Sequence, residues 1–135
     1  MNLLAIRFKP DEDLRQSLQN FAKQQNIQAG FILSAVGSLK RASIRYANQD
    51  NSTVLKEKLE ILALNGTLAD TGSHLHITIA DSQGKTMGGH LSDGCIVYTT
   101  AEIIIGSSEE FRFRRALDPQ TGYYELEIAT GGANG

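Results

Sequence analysis

One cysteine in 135 residues leaves no partner for an internal disulfide and no second thiol for a paired-cysteine metal knuckle. Cys95 therefore reads as a small apolar residue in a strand. Long apolar runs are missing as well. Hydrophobic residues make up 41% of the chain, yet none of their runs approaches the roughly 18–20 residues that cross a bilayer, so a soluble protein with no membrane partner is expected. Met1–Arg7 lacks the basic segment, extended apolar segment and small-residue cleavage site of a secretory leader, and a cytoplasmic location is expected. An excess of positive charge is also absent. Thirteen Lys and Arg stand against fifteen Asp and Glu, a net charge of −2, whereas duplex DNA is bound mainly by cations that neutralise phosphates. DNA binding by the isolated chain is not expected.

What remains fits one domain, since domains run to roughly 100–200 residues. Residues 3–9 (Leu-Leu-Ala-Ile-Arg-Phe-Lys) predict a strand that stops at Pro10. Asp11 is the expected helix cap, with Glu12 and Asp13 in the first turn and Leu14, Leu18, Phe21 and Ala22 forming an apolar stripe. Residues 29–37 and 42–47 predict two further strands, and 59–64 another that ends in a turn at Asn65-Gly66. Residues 74–105 read as consecutive strands separated by Asp81-Ser-Gln-Gly84 and Ser92-Asp-Gly94, both short enough for hairpins. A last strand is expected from Tyr123 to Ile128, followed by a flexible tail over 129–135. The fold class is α+β: a mainly antiparallel sheet, barrel-like or strongly twisted, with one helix from the N-terminal half packed on it, and a single domain over residues 1–128.

All three histidines fall within this strand-rich stretch. His74 and His76 are two residues apart and share a face. Asp81-Ser-Gln-Gly84 suits a type I turn followed by glycine in the left-handed region, which pairs Asp81 with Lys85. Opposed residues in that hairpin keep a constant sum, so His76 lies opposite His90 and His74 lies diagonal to it. Cross-strand and diagonal neighbours, about 4.5–5.5 and 7–8 Å apart, bring three imidazoles within reach of one metal ion. Three histidines with one open position suit Zn²⁺. A bulge at Gly88-Gly89 would turn His90 to the other face, and the alternative role for the histidines is as hydrogen-bonded surface or interface residues.

The run Gly72-Ser-His-Leu-His-Ile-Thr-Ile-Ala-Asp-Ser-Gln-Gly-Lys-Thr-Met-Gly-Gly-His-Leu91, with Cys95-Ile-Val-Tyr-Thr-Thr-Ala-Glu-Ile-Ile-Ile105 after it, resembles the plant- and prokaryote-conserved (PPC) domain. The resemblance extends upstream through Leu59-Glu-Ile-Leu-Ala-Leu-Asn-Gly66, Gly30–Gly37 and the early helix. It implies an antiparallel sheet with a flanking helix, assembled as a homotrimer. In plants the domain is joined to Arg-Gly-Arg-Pro segments that enter the minor groove and earn such proteins the label DNA-binding, and there it mediates association with itself and other proteins. This sequence has no Arg-Gly-Arg-Pro. The fold is also similar to that of acetolactate decarboxylase, in which a histidine pair and a third histidine hold zinc; His74, His76 and His90 match that arrangement in kind.

Glu102, on the strand after His90, is the nearest acid/base candidate, with an ion pair to Arg7 or Arg112 as its plainer role. Phe111-Arg-Phe-Arg-Arg115 is a basic patch with interleaved aromatics, but Glu109 and Glu110 precede it and favour a solvated or intersubunit face over nucleic acid. Three functions stand in order: a homotrimeric binding or regulatory module with a three-histidine metal site, a zinc-dependent enzyme on a small molecule, and a DNA-associated regulatory protein.

Overall fold

The computed structural model describes residues 1–130. Its elements are β1 (Asn2–Phe8), α1 (Leu14–Gln24), β2 (Gly30–Arg45), β3 (Thr53–Leu55), β4 (Leu59–Ala69), β5 (Gly72–Ala80), β6 (Thr86–Leu91), β7 (Ile96–Ser107), β8 (Phe111–Leu117) and β9 (Tyr124–Thr130). Seven strands form one antiparallel sheet in the order β1-β7-β2-β4-β5-β6, with β3 on β2, and β8 pairs with β9 in a separate two-stranded sheet. The large sheet curls, because β6 pairs both with β5 and, through Ile44↔Leu91 and Arg45↔His90, with the end of β2. Among the described residues, no helix is long and apolar enough to cross a membrane.

The predicted apolar stripe of α1 packs against the inner face of this curl. Leu14, Leu18 and Ala22 are fully buried there with Ile27, Leu39, Ile77, Ile103 and Ile105, and Phe21 sits at the margin. Each such Leu or Ile contributes about 1.5–3 kcal/mol by leaving water. The cap is Asp13 and not Asp11. Its carboxylate accepts from the Gln16 N–H at 3.0 Å, and its second oxygen accepts from the Gly94 N–H at 2.7 Å. Asp11 instead turns the chain with φ +75° and pairs with Lys40 at the surface.

The two strands expected over 29–37 and 42–47 are joined into one sixteen-residue strand, Gly30–Arg45. The residues between them stay in the strand: Lys40 and Arg41 bond outward to Asp11 and the Gly94 carbonyl, and Ser38 finds its partner within the sheet. Ser38, buried, bonds Thr99 through its hydroxyl at 2.9 Å, and irregularities between Ile32 and Ser34 and between Gly37 and Arg41 let the strand bend while staying on β7. Asn65-Gly66, expected as a turn, lies inside β4, with Asn65 opposite His76 and Gly66 opposite Leu75. A β-carbon on Gly66 would stand 1.9 Å from the His74 carbonyl oxygen, so glycine serves a close strand approach at this position.

The connection over 92–94 is not a hairpin: β6 continues onto β5 and β2, while β7 pairs with β1 and β2. Cys95 is buried at this bend with its sulfur against the Ser43 backbone, and burial pushes its thiol up to about 11. The Phe111–Arg115 segment, expected as a solvated or intersubunit face, begins β8. Strand β9 extends the expected last strand to Thr130, paired with Phe111; the rest of the expected tail, 131–135, lies outside the described residues.

Candidate metal centre

Asp81 and Gly84 set the register that positions the histidines. The Asp81 N–H donates to the Lys85 carbonyl at 2.9 Å, the Gly84 N–H donates to the Asp81 carbonyl at 2.9 Å, and Gly84 takes φ +79°. The Asp81 carboxylate also accepts from the Gln83 and Lys85 N–H groups, fixing the turn from inside. Pairing then runs without a break from Ala80↔Thr86 to His76↔His90. Gly88 and Gly89 introduce no bulge. They lie where β6 is squeezed between two neighbours: a β-carbon on Gly88 would meet the Ile77 carbonyl oxygen at 2.5 Å, and one on Gly89 the Arg45 carbonyl oxygen at 2.6 Å.

The three rings meet on the outer face of the sheet. Centroids of His74 and His76 are 5.0 Å apart, those of His74 and His90 5.5 Å, and those of His76 and His90 6.0 Å. One ring nitrogen from each lies within 4.8 Å of the others. Zinc held at about 2.0–2.1 Å in tetrahedral geometry needs nitrogens roughly 3.3 Å apart, so small side-chain rotations close the set, and the donors fit a divalent transition metal. Burial, then the nearby His76 and Arg115, hold His74 below the ordinary imidazole range, against a smaller upward pull from Glu125. Burial, then Arg45 and the other two histidines, push His90 down to about 4. Both imidazoles are therefore neutral at pH 7, the form that ligates metal.

Glu102 is not part of this site. It stands on β7 opposite Arg7, accepting from the Thr100 hydroxyl at 3.3 Å, and Arg7 donates to that same hydroxyl at 2.9 Å. The expected direct ion pair is replaced by this bridge, and Arg112 goes elsewhere, donating to Gln28 Oε1 at 3.0 Å. The carboxylate that lines both histidine cavities is Glu125 of β9, and Asp50 lines one of them. Arg115 of β8 and Arg45 of β2 complete the charged lining. Arg45 follows from the β2–β6 pairing. Arg115 and Glu125 arrive because the β8–β9 hairpin docks over the sheet: Thr71 donates to the Phe113 carbonyl, the Phe113 N–H to the Gln28 carbonyl, and Arg115 to Thr67 Oγ1 at 2.9 Å. Docking of a separate hairpin leaves no local sequence signal, and neither Arg115 nor Glu125 was legible as a site residue.

A relative from Synechococcus sp. (strain JA-3-3Ab), described as the bifunctional protein GlmU, is 54% identical over 128 residues; the match takes in 95% of this chain and 21% of that protein. The chain thus spans about a fifth of the length of that relative. Among solved structures, a hypothetical protein from Salmonella cholerae-suis is similar with a TM-score of 0.93 at 37% identity, covering 96% of this chain and 94% of that one. A metal-containing protein from Archaeoglobus fulgidus has a TM-score of 0.79 at 28% identity, covering 94% of each chain. Residues 1–109 match the model of the Plants and Prokaryotes Conserved (PCC) domain, the family resembled at Gly72–Leu91, and the chain belongs to that family.

Proposed function

We propose that this chain is the subunit of a homotrimeric binding or regulatory module that holds one divalent transition metal ion, zinc, on His74, His76 and His90. The observation that carries this reading is the convergence of the chain's three histidines, with one ring nitrogen from each within 4.8 Å of the others. Two ligands on β5 and one on its hairpin partner form a half-shell with little conformational freedom left to lose. When bound, the ion supplies Lewis acidity at a position the protein leaves open. The metal-containing relative from Archaeoglobus fulgidus adds support.

Trimer assembly rests on the family and on exposed apolar side chains. Gly37 pairs with Ile61, which sets Val36 beside Leu62 across β2 and β4, and these are 55% and 52% exposed. Covering such a patch is a reason to associate. Metal analysis of purified protein, zinc titration of His90→Ala and light scattering test the reading together. Expected are one metal per chain, a strong loss of affinity in the variant and a mass three times the 14.7 kDa of one chain. Unchanged zinc affinity in His90→Ala would refute the metal site, and a mass of one chain the trimer.

A second reading, a metal-dependent enzyme on a small molecule, is favoured by Glu125, whose carboxylate lines the cavities with His74 and His76 and provides an acid/base group. DNA association has less support: Arg112 and Arg115, two of the three arginines in the basic segment, are half-buried and bonded to Gln28 and Thr67.

A further inference from the structure

We propose that the cavity beside the histidine cluster binds the carboxylate of a small organic acid, with Arg45 and Arg115 as its recognition groups. The inference rests on the metal site above and deepens it by naming the ligand class. A cavity of about 600 Å³ adjoins the cluster, lined by His74 and His90 together with Arg45, Arg115, Glu125 and Tyr124. That is within the roughly 300–1,000 Å³ of small-molecule sites.

The two guanidinium groups reach the cavity from different parts of the fold. Arg45 is at the end of β2, paired with His90, so its position follows from the same register that fixes the ligand. Arg115 comes from β8, half-buried and held by its bond to Thr67 Oγ1. A guanidinium has five donors, and the ion pairs among the described residues, Arg15 with Asp93 and Lys40 with Asp11, engage neither arginine. Arg45 is exposed and Arg115 is half-buried beside Glu125, and a planar carboxylate accepts two parallel N–H bonds from a guanidinium.

Charge bookkeeping gives the sign. Asp50 and Glu125 line the cavity too and balance the two arginines. A divalent ion on three neutral imidazoles then leaves two positive charges uncompensated, which a small dicarboxylic acid relieves by placing one carboxylate toward the ion and the other against Arg45 and Arg115. The family match stops at residue 109, before the hairpin that supplies Arg115, Glu125 and Tyr124.

The test uses Co²⁺-loaded full-length protein with succinate as the probe, read by the visible Co²⁺ spectrum and by calorimetry, and inorganic phosphate as the control anion. Succinate is expected to perturb the Co²⁺ bands, and Arg115→Lys and Arg45→Gln each to weaken its binding roughly tenfold or more while Co²⁺ uptake stays normal. Normal uptake with succinate affinity unchanged in both variants would overturn the proposal and leave the metal site standing. Phosphate binding as tightly as succinate would overturn the carboxylate assignment. If the protein takes up no Co²⁺, the metal reading fails, and calorimetry on the metal-free protein decides separately: arginine-dependent succinate binding supports the recognition groups, and its absence overturns them.

Discussion

Gly66→Ala is the substitution that tests most directly how β4 and β5 hold the histidine strand. The added β-carbon would lie 1.9 Å from the His74 carbonyl oxygen, where ordinary C···O contacts are roughly 3.3 Å or more. The obstacle is backbone in a paired strand, so relief requires β4 and β5 to part by roughly 1 Å or more at the residue that carries a ligand. Gly66 also has φ +141°, which L side chains rarely adopt. Overpacking of about 1–3 kcal/mol and a backbone penalty of about 1–2 kcal/mol together give about 2–5 kcal/mol. A domain of this size has about 5–15 kcal/mol in total. Gly84→Ala is the matched control, because Gly84 has φ +79° with nothing within 4 Å of the added carbon, and it should cost about 1 kcal/mol. Urea unfolding of both variants separates the clash from the dihedral penalty, and zinc titration of Gly66→Ala should show weakened binding as well. Equal destabilisation of the two variants would refute the argument.

Asp13→Ala should cost about 2 kcal/mol by urea unfolding, since it removes both the α1 cap and the bond to the Gly94 N–H, while Asp11→Ala should cost less than about 1 kcal/mol because its pair with Lys40 is exposed. The reverse ranking would return the cap to Asp11. Val36→Glu should shift the light-scattering mass from three chains toward one without lowering the unfolding midpoint of the monomer, and an intact trimer would remove Val36 from the interface. With His90 near 4 when folded and 6.5 when unfolded, the unfolded state binds more protons between those values, so stability from this source is complete above pH 6.5 and is lost as pH falls toward 4. Metal-free protein should accordingly lose more stability between pH 7 and 5 than its His90→Gln variant, and equal losses would contradict it.

The histidine face was legible because it depends on short-range rules. Alternation along β5, the Asp81–Gly84 turn and the constant-sum register need no tertiary information, and the paired glycines of β6 keep the ladder regular. Errors arose where distant contacts decide. Ser38 looks like a loop residue until Thr99 supplies its partner, and Asn65-Gly66 looks like a turn until β5 presses against it. Asp11 looks like the cap of α1 and Asp13 a first-turn acid until the Gly94 N–H, eighty-one residues on from Asp13, is seen to hold Asp13 at the cap. Glu102 is near His90 along the chain, whereas β6 leaves toward β2 and β7 runs between β1 and β2, which takes Glu102 away.

The β8–β9 hairpin shares no ladder with the large sheet; it docks through side chains and the hydrogen bonds of Phe113, Thr71, Arg112 and Arg115. The walls of the cavity are consequently of two kinds. One is woven into the curled sheet, where His74, His76 and His90 stand on strands paired on both sides; the other is a lean-to resting against it. Substitutions at Arg115, Tyr124 or Glu125 can re-tailor what the cavity accepts at little cost to the scaffold, so that chains with one shared core could come to serve different ligands by exchanging twenty residues near the C-terminal end, from 111 to 130.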